Sequence, residues 1–345
     1  MLIKKYLSVK DYLALTGRPI IFMTIWATLV VLLYSYFEVQ WIDLPSMPLA
    51  VIGTAVAFYI GFKNNHAYER VWEARKVWGG IINDSRSLGA AIRAYVGNLD
   101  STESFQKEAV ATIHQRILFR HIAWCYTLRS QLLVPTPWEH INQGKMQRKM
   151  TIRQMEKIGM KPHFDGLQKA EISDFLNQNE LEKLFAYSNK ATHLMDVQAQ
   201  ELAALRKANY LDTYYHTKLQ DLLDAFFTNQ GKCERIKKFP LPRQYGSSSM
   251  AFILIFMTLL PFGMIAQFHK LGEYAVWLSV PFSVLVSWVY LMMEKIGDYT
   301  ENPFEGMAND IPMLSLCRII EIELKEMLGM ENIPSSIEAK EGVLM

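Results

Sequence analysis

An apolar stretch that passes into a charged one, with no helix-stopping residue at the junction, is the feature that most constrains how this chain folds. Residues 44–62 carry no charge, and residues 63–86 are densely charged. The 19 uncharged residues, at about 1.5 Å per residue, reach across a hydrocarbon core of roughly 30 Å. The sequence therefore predicts one long helix that crosses a membrane and continues beyond it, with Lys63 at the membrane surface.

Two rows of side chains run along this predicted span. Thr54, Phe58 and Phe62 recur every four residues, so they share one face of the helix. A row of small residues lies beside them: Gly53, Ala57 and Gly61. Small residues let helices approach closely in lipid, and packing of this row against a neighbouring copy would turn the aromatic row toward a common axis. Such an apolar ring gates ions by dewetting. In an ordinary membrane helix, the same phenylalanines face lipid or other helices.

Three further uncharged windows predict additional spans. They cover residues 19–37, 246–268 and 274–293. Together with 44–62 they form two hairpins, and within each hairpin a short link joins the two spans. Basic residues concentrate at the opposite ends of the windows: Lys4, Lys5, Lys10, Arg18, Lys63, Arg70, Arg75, Lys237, Lys238 and Arg243. By the positive-inside rule, both termini and the long middle segment are cytoplasmic.

The pattern divides the chain into five segments. They are an N-terminal cytosolic helix at 1–18, a first transmembrane hairpin at 19–62, a helical cytosolic domain at 63–245, a second transmembrane hairpin at 246–293 and a C-terminal cytosolic segment at 294–345. Within the cytosolic domain, Asp100 and Glu103 cap one helix, and 180–208 and 211–236 predict two more. A frayed tail is predicted from Glu331 onward. We therefore expect an all-α membrane protein.

Composition excludes several classes of protein. The chain is 50% hydrophobic and 20% charged, a balance that fits a protein partly in lipid and partly in water. The formal net charge is +2 and no RNA- or DNA-binding motif occurs, so nucleic acid is not an expected partner. The sequence has three distant cysteines and no paired metal-binding histidines, phosphate loop or nucleophile elbow. These features favour a protein that is not an enzyme.

A basic segment between residues 145 and 161 has three interpretations. The segment contains one acid, Glu156. Its cations are Lys145, Arg148, Lys149, Arg153, Lys157 and Lys161. The segment is a solvated helical hairpin, a contact for anionic lipid, or part of a positive vestibule that concentrates anions.

Three other local features bear on function. The stretch that begins at Glu294 carries oxygen ligands of the kind calcium prefers: Asp298, Glu301, Asn302, Glu305, Asn309 and Asp310. Their spacing matches no calcium loop, and helix capping and turn formation explain them equally well. Prolines on both sides of Leu241 predict that it projects as a fixed apolar side chain. His66 lies one turn after Phe62, as an interfacial histidine or as an influence on the predicted pore.

Three motifs in the chain resemble the bestrophin channels of bacteria. They are GFKNNHAYERVWEARKVWGGIINDSR, FPLPRQY before the third span and ENPFEGMANDIP before a final helix. The resemblance extends from Tyr12 to about Gly329. It implies a homopentamer in the bacterial inner membrane, with one central pore lined by the second span and narrowed again at a cytosolic aperture.

The resemblance also assigns roles to individual positions. It places the pore neck at Thr54, Phe58 and Phe62, and the cytosolic aperture at Leu241. The family's signature helix, which the resemblance makes structural through buried pairs and contacts between subunits, falls on Arg70, Trp72, Glu73, Arg75, Trp78, Asn83 and Arg86. Asn302 and Asp310 match the calcium-binding loop of the animal channels, whereas residues 305–309 depart from its acidic run.

We therefore expect a passive ion channel that conducts anions, chloride in particular, and is gated at the hydrophobic neck. Its partners are other copies of the chain, the lipid bilayer and the permeant inorganic ions, and no cofactor is expected unless calcium binds. Two alternatives stay open. One is a cation-selective channel of the same family, and the other is a membrane-anchored helical scaffold that conducts nothing.

Overall fold

The computed structural model describes residues 1–6, 9–42, 44–97 and 105–345, and the secondary structure of this part of the chain is mainly α-helical. The α-helices of this part are α1 (Val9–Ser35), α2 (Ser46–Tyr95), α3 (Phe105–Leu132), α4 (Lys145–Lys157), α5 (Gln178–Leu184), α6 (Lys190–Lys207), α7 (Thr213–Lys238), α8 (Arg243–Phe268), α9 (Ser279–Asp298) and α10 (Met313–Met327). Extended structure in the same residues is limited to isolated bridges at Leu2, Lys340 and Val343. The predicted all-α fold is thus confirmed.

Four of the helical stretches are long and apolar enough to cross a membrane, as the sequence predicts. The second is α2, a single unbroken helix of 50 residues. The first, α1, begins at Val9 and continues past Pro19, so the structure shows no separate helix at 1–18. The fourth begins as a 3₁₀ turn and becomes α9 only at Ser279.

The described residues form two compact units. The span unit comprises residues 4–70 and 240–302, and the bundle unit comprises residues 1–3, 71–239 and 303–345. In the span unit, α9 packs against α1 and α8, around a core that includes Ile60, Ile253 and Phe256. In the bundle unit, α3 packs against α6, α7 and α10, around a larger core that includes Trp78, Trp124 and Phe226.

Helices α3 and α7 of the bundle unit follow the predictions. Helix α3 stops before Pro135, and α7 begins after Asp212, whose side chain accepts a hydrogen bond from the Tyr214 amide at 2.7 Å. The single helix predicted at 180–208 is wrong, because the chain forms α5 and α6 instead. The predicted cap at Asp100 and Glu103 lies outside the described residues.

The break between α5 and α6 has a local cause. The Asn189 side chain accepts a hydrogen bond from the Thr192 amide at 3.1 Å and so caps the start of α6. Helix α5 ends at Leu184, and the extended backbone angles of Asn189 mark the start of a new helix after it. The apolar spacing on both sides is helical, which is why periodicity alone merges the two helices.

The C-terminal residues are not a frayed tail. Leu344 donates its amide hydrogen to the Met1 carbonyl at 2.8 Å, and Ile3 donates to Gly342 at 2.9 Å. The Ser315 amide of α10 donates to the Met345 carbonyl at 2.6 Å. The tail prediction was therefore wrong, because backbone pairing with distant residues orders a segment that has no helical pattern of its own.

Candidate functional site

The three residues of the predicted neck lie on a face of α2 that its own chain leaves uncovered. Phe58 and Phe62 are 67% and 62% exposed, and Thr54 is exposed as well. The Thr54 hydroxyl donates to the Ala50 carbonyl at 2.9 Å, so its donor is satisfied within the helix. Two large aromatic side chains in one exposed row form a surface that a neighbouring copy, lipid or a pore axis must meet.

The opposite face of α2 packs within the span unit. Val56 and Ile60 are buried there together with Phe256. Gly53 belongs to this packed face, since a Cβ at Gly53 would lie 2.9 Å from Phe256 Cε2 and the Tyr290 hydroxyl donates to the Gly53 carbonyl at 3.0 Å. The predicted packing of the small-residue row against a neighbouring copy is therefore wrong at Gly53.

The exposed face continues past Phe62 with polar residues. Asn65 donates to the Glu69 carboxylate at 3.1 Å, and His66 Nδ1 lies 3.4 Å from the other Glu69 oxygen. All three side chains are exposed. His66 is thus one member of a polar group that follows the aromatic row and contains one carboxylate per chain.

The structure also shows a buried ion pair that the sequence analysis missed. Lys63, which the sequence places at the membrane surface, is 2% exposed, and its ammonium group lies 2.5 Å from Glu294 Oε1. The other Glu294 oxygen accepts a hydrogen bond from Ser249 Oγ at 2.6 Å. One available signal was that Lys63 and Glu294 are the charged residues that end two of the apolar windows.

Further polar contacts tie the residues after Lys63 to the end of α9. Asn64 donates to the Met293 carbonyl at 2.8 Å. Its side chain also lies so close to Gly297 that a Cβ added at Gly297 would clash with Asn64 Oδ1. Arg70 Nε donates to the Glu301 carbonyl at 3.0 Å. The first two turns of α2 beyond Phe62 are therefore fixed to α9 and the loop after it.

The signature residues fall into three environments. Trp78 is fully buried in the bundle core. Glu73 pairs with Arg235 at 2.6 Å, and Arg86 binds both oxygens of Glu323 at 2.6 and 2.9 Å. Both ion pairs are partly exposed in the single chain, and their burial between subunits stays a prediction. Surface pairs of this kind contribute about 0–1 kcal/mol each.

Three other signature residues lie nearer the surface of the single chain. Trp72 and Asn83 are exposed, and Arg75 is half-buried. They lie along α2 within the bundle unit. Contacts between subunits at these residues stay a prediction.

Leu241, the predicted aperture residue, does not project from the single chain. It is 9% exposed, whereas Phe239 on the other side of Pro240 is 64% exposed. In the single chain, Leu241 is therefore turned inward. An aperture at this segment stays a prediction.

The carboxylates expected as calcium ligands have partners within the chain. Arg243 binds Glu301 at 3.1 Å, and His140 donates its amide to Glu305 at 2.6 Å. Asp310 accepts from the backbone amides of residues 304, 306 and 311 at 2.7–2.9 Å. Asn302 belongs to the span unit and Asp310 to the bundle unit.

The turn-forming interpretation fits Asp310, since it holds a loop in which Phe304 and Gly306 have positive φ angles. In the described residues, no group of three or more His, Cys, Asp or Glu side chains is placed to hold a metal ion. Calcium binding stays a prediction.

The basic segment is one helix with a turn after it, and not the predicted hairpin. Helix α4 ends at Lys157, and Gly159 has a positive φ of 83°. Its basic side chains at 145, 148, 149, 153 and 157 are exposed. The helix thus presents a positive surface, which agrees with the solvated interpretation and leaves the two binding interpretations as predictions.

A buried pair in the bundle unit predicts a pH-dependent stability. Glu139 pairs with Lys237, which also donates to the Phe304 carbonyl at 3.1 Å. Burial raises the pKa of Glu139 to about 7, although the Lys237 ammonium group acts in the opposite direction. Because the folded chain binds this proton more tightly than the unfolded chain, whose pKa is near 4.5, the free energy of unfolding falls as the pH rises from about 4.5 to about 7.

Replacing Glu139 with glutamine should remove that fall, which is on the order of 3 kcal/mol. The melting temperature of the purified protein at pH 5 and pH 8 measures it. Glu156→Gln, at an exposed acid of α4, is the matched control and should keep the pH dependence of the unaltered chain. An unchanged pH dependence in Glu139→Gln would contradict the assignment.

Comparison with known proteins identifies relatives over most of the chain. A family model described as "Bacterial/Fungal Bestrophin protein" matches residues 14–326. The "Voltage-dependent anion channel-forming protein YneE" of Escherichia coli K12 is 25% identical over 290 residues, 84% of this chain and 79% of the relative. A protein of Mesorhizobium japonicum with the same functional description is 25% identical over 88% of this chain and 82% of its own length.

Solved structures share the fold. A bacterial bestrophin homologue from Klebsiella pneumoniae superimposes with a TM-score of 0.72, covering 91% of this chain and 98% of that chain at 23% identity. A second solved membrane protein gives a TM-score of 0.73 over 92% of this chain and all of that chain, also at 23% identity. The arrangement of helices is therefore one that experiment has observed.

Proposed function

Because this chain belongs to the bacterial and fungal bestrophin family, we propose that it forms a passive channel for inorganic anions, chloride in particular. Copies of the chain surround one axis, and the resemblance to the bestrophin channels implies five of them. The names of the relatives, which are anion channel-forming proteins, support the anion assignment.

The observation that carries this proposal is the uncovered aromatic row on α2. Phe58 and Phe62 point away from a face that is packed within the same chain. When copies of the chain meet around an axis, the rows from all copies form rings one turn apart. Rings of phenyl groups make a narrow apolar tube that excludes water while it is closed.

Thr54 extends the same tube by one more turn. Its hydroxyl is bonded back to the Ala50 carbonyl, which leaves its methyl group as the surface available to the pore. This arrangement makes the position more apolar than a free hydroxyl would, and it suits a neck of three rings. The resemblance to the bestrophin channels implies a second, cytosolic constriction at Leu241 and the segment around it.

The proposed topology places the bundle unit and both termini in the cytoplasm of a bacterial inner membrane. The basic residues that flank the apolar windows support this orientation. The exposed cations of α4 would then form a positive surface that raises the local anion concentration.

A cation-selective channel is the second candidate, and one observation favours it. Glu69 is exposed on the pore-facing side of α2 two turns after Phe62, held by Asn65 and His66. In an assembly, it contributes one carboxylate per subunit to a ring, and such rings attract cations.

The reversal potential of the reconstituted protein under a KCl gradient tests the proposal. We expect current whose reversal potential lies near the chloride equilibrium potential. A potential near the potassium value supports the cation-selective alternative. A purified assembly that passes neither ion, even with both phenylalanines truncated, supports the non-conducting scaffold. Liposomes without protein are the control.

A further inference from the structure

The buried ion pair at the end of the apolar part of α2 has an unusual position for a charge. Lys63 is the first charged residue after the uncharged window, and it follows Phe62 directly. Its side chain is 2% exposed and that of Glu294 is 3% exposed, with 2.5 Å between the charged atoms. The pair therefore lies within the span unit, beside the last residue of the proposed neck.

Burial makes the geometry of this pair restrictive. A charged group removed from water is tolerated only when a partner and further hydrogen bonds satisfy it. Glu294 meets this condition through Lys63 and the Ser249 hydroxyl, and Lys63 has a second carboxylate, Glu301, at 4.0 Å. Rotation of α2 would separate these charges from their partners, so the pair opposes rotation.

The position of Lys63 on the helix determines what that resistance controls. At about 100° per residue, Lys63 falls on the same face as the buried Ile60 and Ala67, which is opposite the middle of the aromatic row. Asn64, the next residue, is bonded to the Met293 carbonyl of the same helix that carries Glu294. Two successive residues of α2 are therefore fixed to the end of α9.

We infer that the Lys63–Glu294 pair, supported by Asn64, is a positioning device that holds Phe58 and Phe62 toward the pore axis and keeps the resting neck closed. The inference rests on the proposed function, because it concerns the orientation of the same rings. Neither residue of the pair touches the permeant ion; both act through the angle at which α2 presents its aromatic row.

A double-mutant cycle between the pair and the neck tests this inference. Glu294→Gln removes the charge of the acid and keeps its shape. It is measured in the native neck and in the Phe58→Ala/Phe62→Ala neck, with chloride efflux from liposomes at equal protein density as the readout. We expect Glu294→Gln to raise efflux about threefold or more in the native neck. No further rise is expected in the neck without rings, since the angle of α2 then presents no aromatic side chain to the axis.

Lys295→Gln is the matched control, because it removes a partly exposed pair with Asp298 one residue further along α9. Lys295→Gln should leave efflux unchanged in the protein with the native neck and in the protein with the Phe58→Ala/Phe62→Ala neck. A general loosening of the protein would instead raise efflux equally in both necks, and that outcome would overturn the positioning role. The positioning role would also be overturned if Glu294→Gln left efflux unchanged in the native neck while truncation of the phenylalanines still raised it.

Failure of the proposed function gives a different result from failure of the positioning role alone. If Phe58→Ala/Phe62→Ala leaves efflux unchanged on its own, then the neck is not the gate and the positioning role is overturned with it. If Glu294→Gln does not assemble, Asn64→Ala takes its place in the same cycle, because it removes the second tie to α9 and leaves the ion pair in place. We expect the same results for Asn64→Ala as for Glu294→Gln, and the same outcomes would overturn the positioning role.

Discussion

Truncation of Phe58 and Phe62 to alanine raises ion flux through the reconstituted protein, and we expect an increase of roughly tenfold or more. The two rings are exposed on one face of α2, so their removal would widen the proposed pore without opening a cavity in the span unit. A wider and less apolar tube stays wet, which removes the barrier that dewetting imposes. Planar-bilayer current per channel and liposome efflux both measure the change.

A matched variant separates pore lining from exposure to lipid. Phe22 on α1 is 66% exposed, nearly the same fraction as Phe58, and it lies on a different helix. Phe22→Ala should leave the flux unchanged. Equal currents in the unaltered protein and the double variant would contradict the assignment of the α2 phenylalanines as the gate.

Replacement of Asp310 with alanine should cost about 4 kcal/mol in the free energy of unfolding. The Asp310 carboxylate is buried and accepts three backbone amides at 2.7–2.9 Å. Alanine leaves these buried donors without an acceptor, and they hold a loop in which Phe304 is fully buried with a positive φ. Thermal or denaturant unfolding of the purified protein measures the loss.

Asp310→Asn provides the graded control. Two of the amides, from Phe304 and Ile311, donate to Oδ1, and the Gly306 amide donates to Oδ2. Asparagine therefore keeps two acceptor contacts and loses one, and we expect a loss of about 1–2 kcal/mol. If Asp310 binds calcium instead, a chelator should lower the melting temperature of the unaltered protein and have no effect on Asp310→Ala.

Much of the fold could be predicted because its signals are local. Uncharged windows of fixed length predict the spans, and the absence of a stop signal at Lys63 predicts the unbroken α2. The spacing of Phe58 and Phe62 places them on one face of a helix, which the structure confirms. Each of these signals depends on residues within a few turns of one another, so one sequence is enough to read them.

The contacts that hold the candidate site depend on residues far apart in the chain. Glu294 lies 231 residues from Lys63, and no periodic pattern relates the two. Gly53 and Gly61 belong to the same row of small residues, which recur every four positions. Phe256 and Tyr290 nevertheless cover only Gly53. The inward position of Leu241 likewise depends on its surroundings and not on the prolines beside it.

The burial of all three native thiols, Cys125, Cys233 and Cys317, makes the chain well suited to site-directed spectroscopy. A cysteine introduced at the exposed Ala90 of α2 would be the one thiol open to a spin label. In a ring of five subunits, such labels are separated by two distances in a ratio of about 1.6, whereas a ring of four gives about 1.4. Dipolar spectroscopy on a single labelled variant would therefore count the subunits directly.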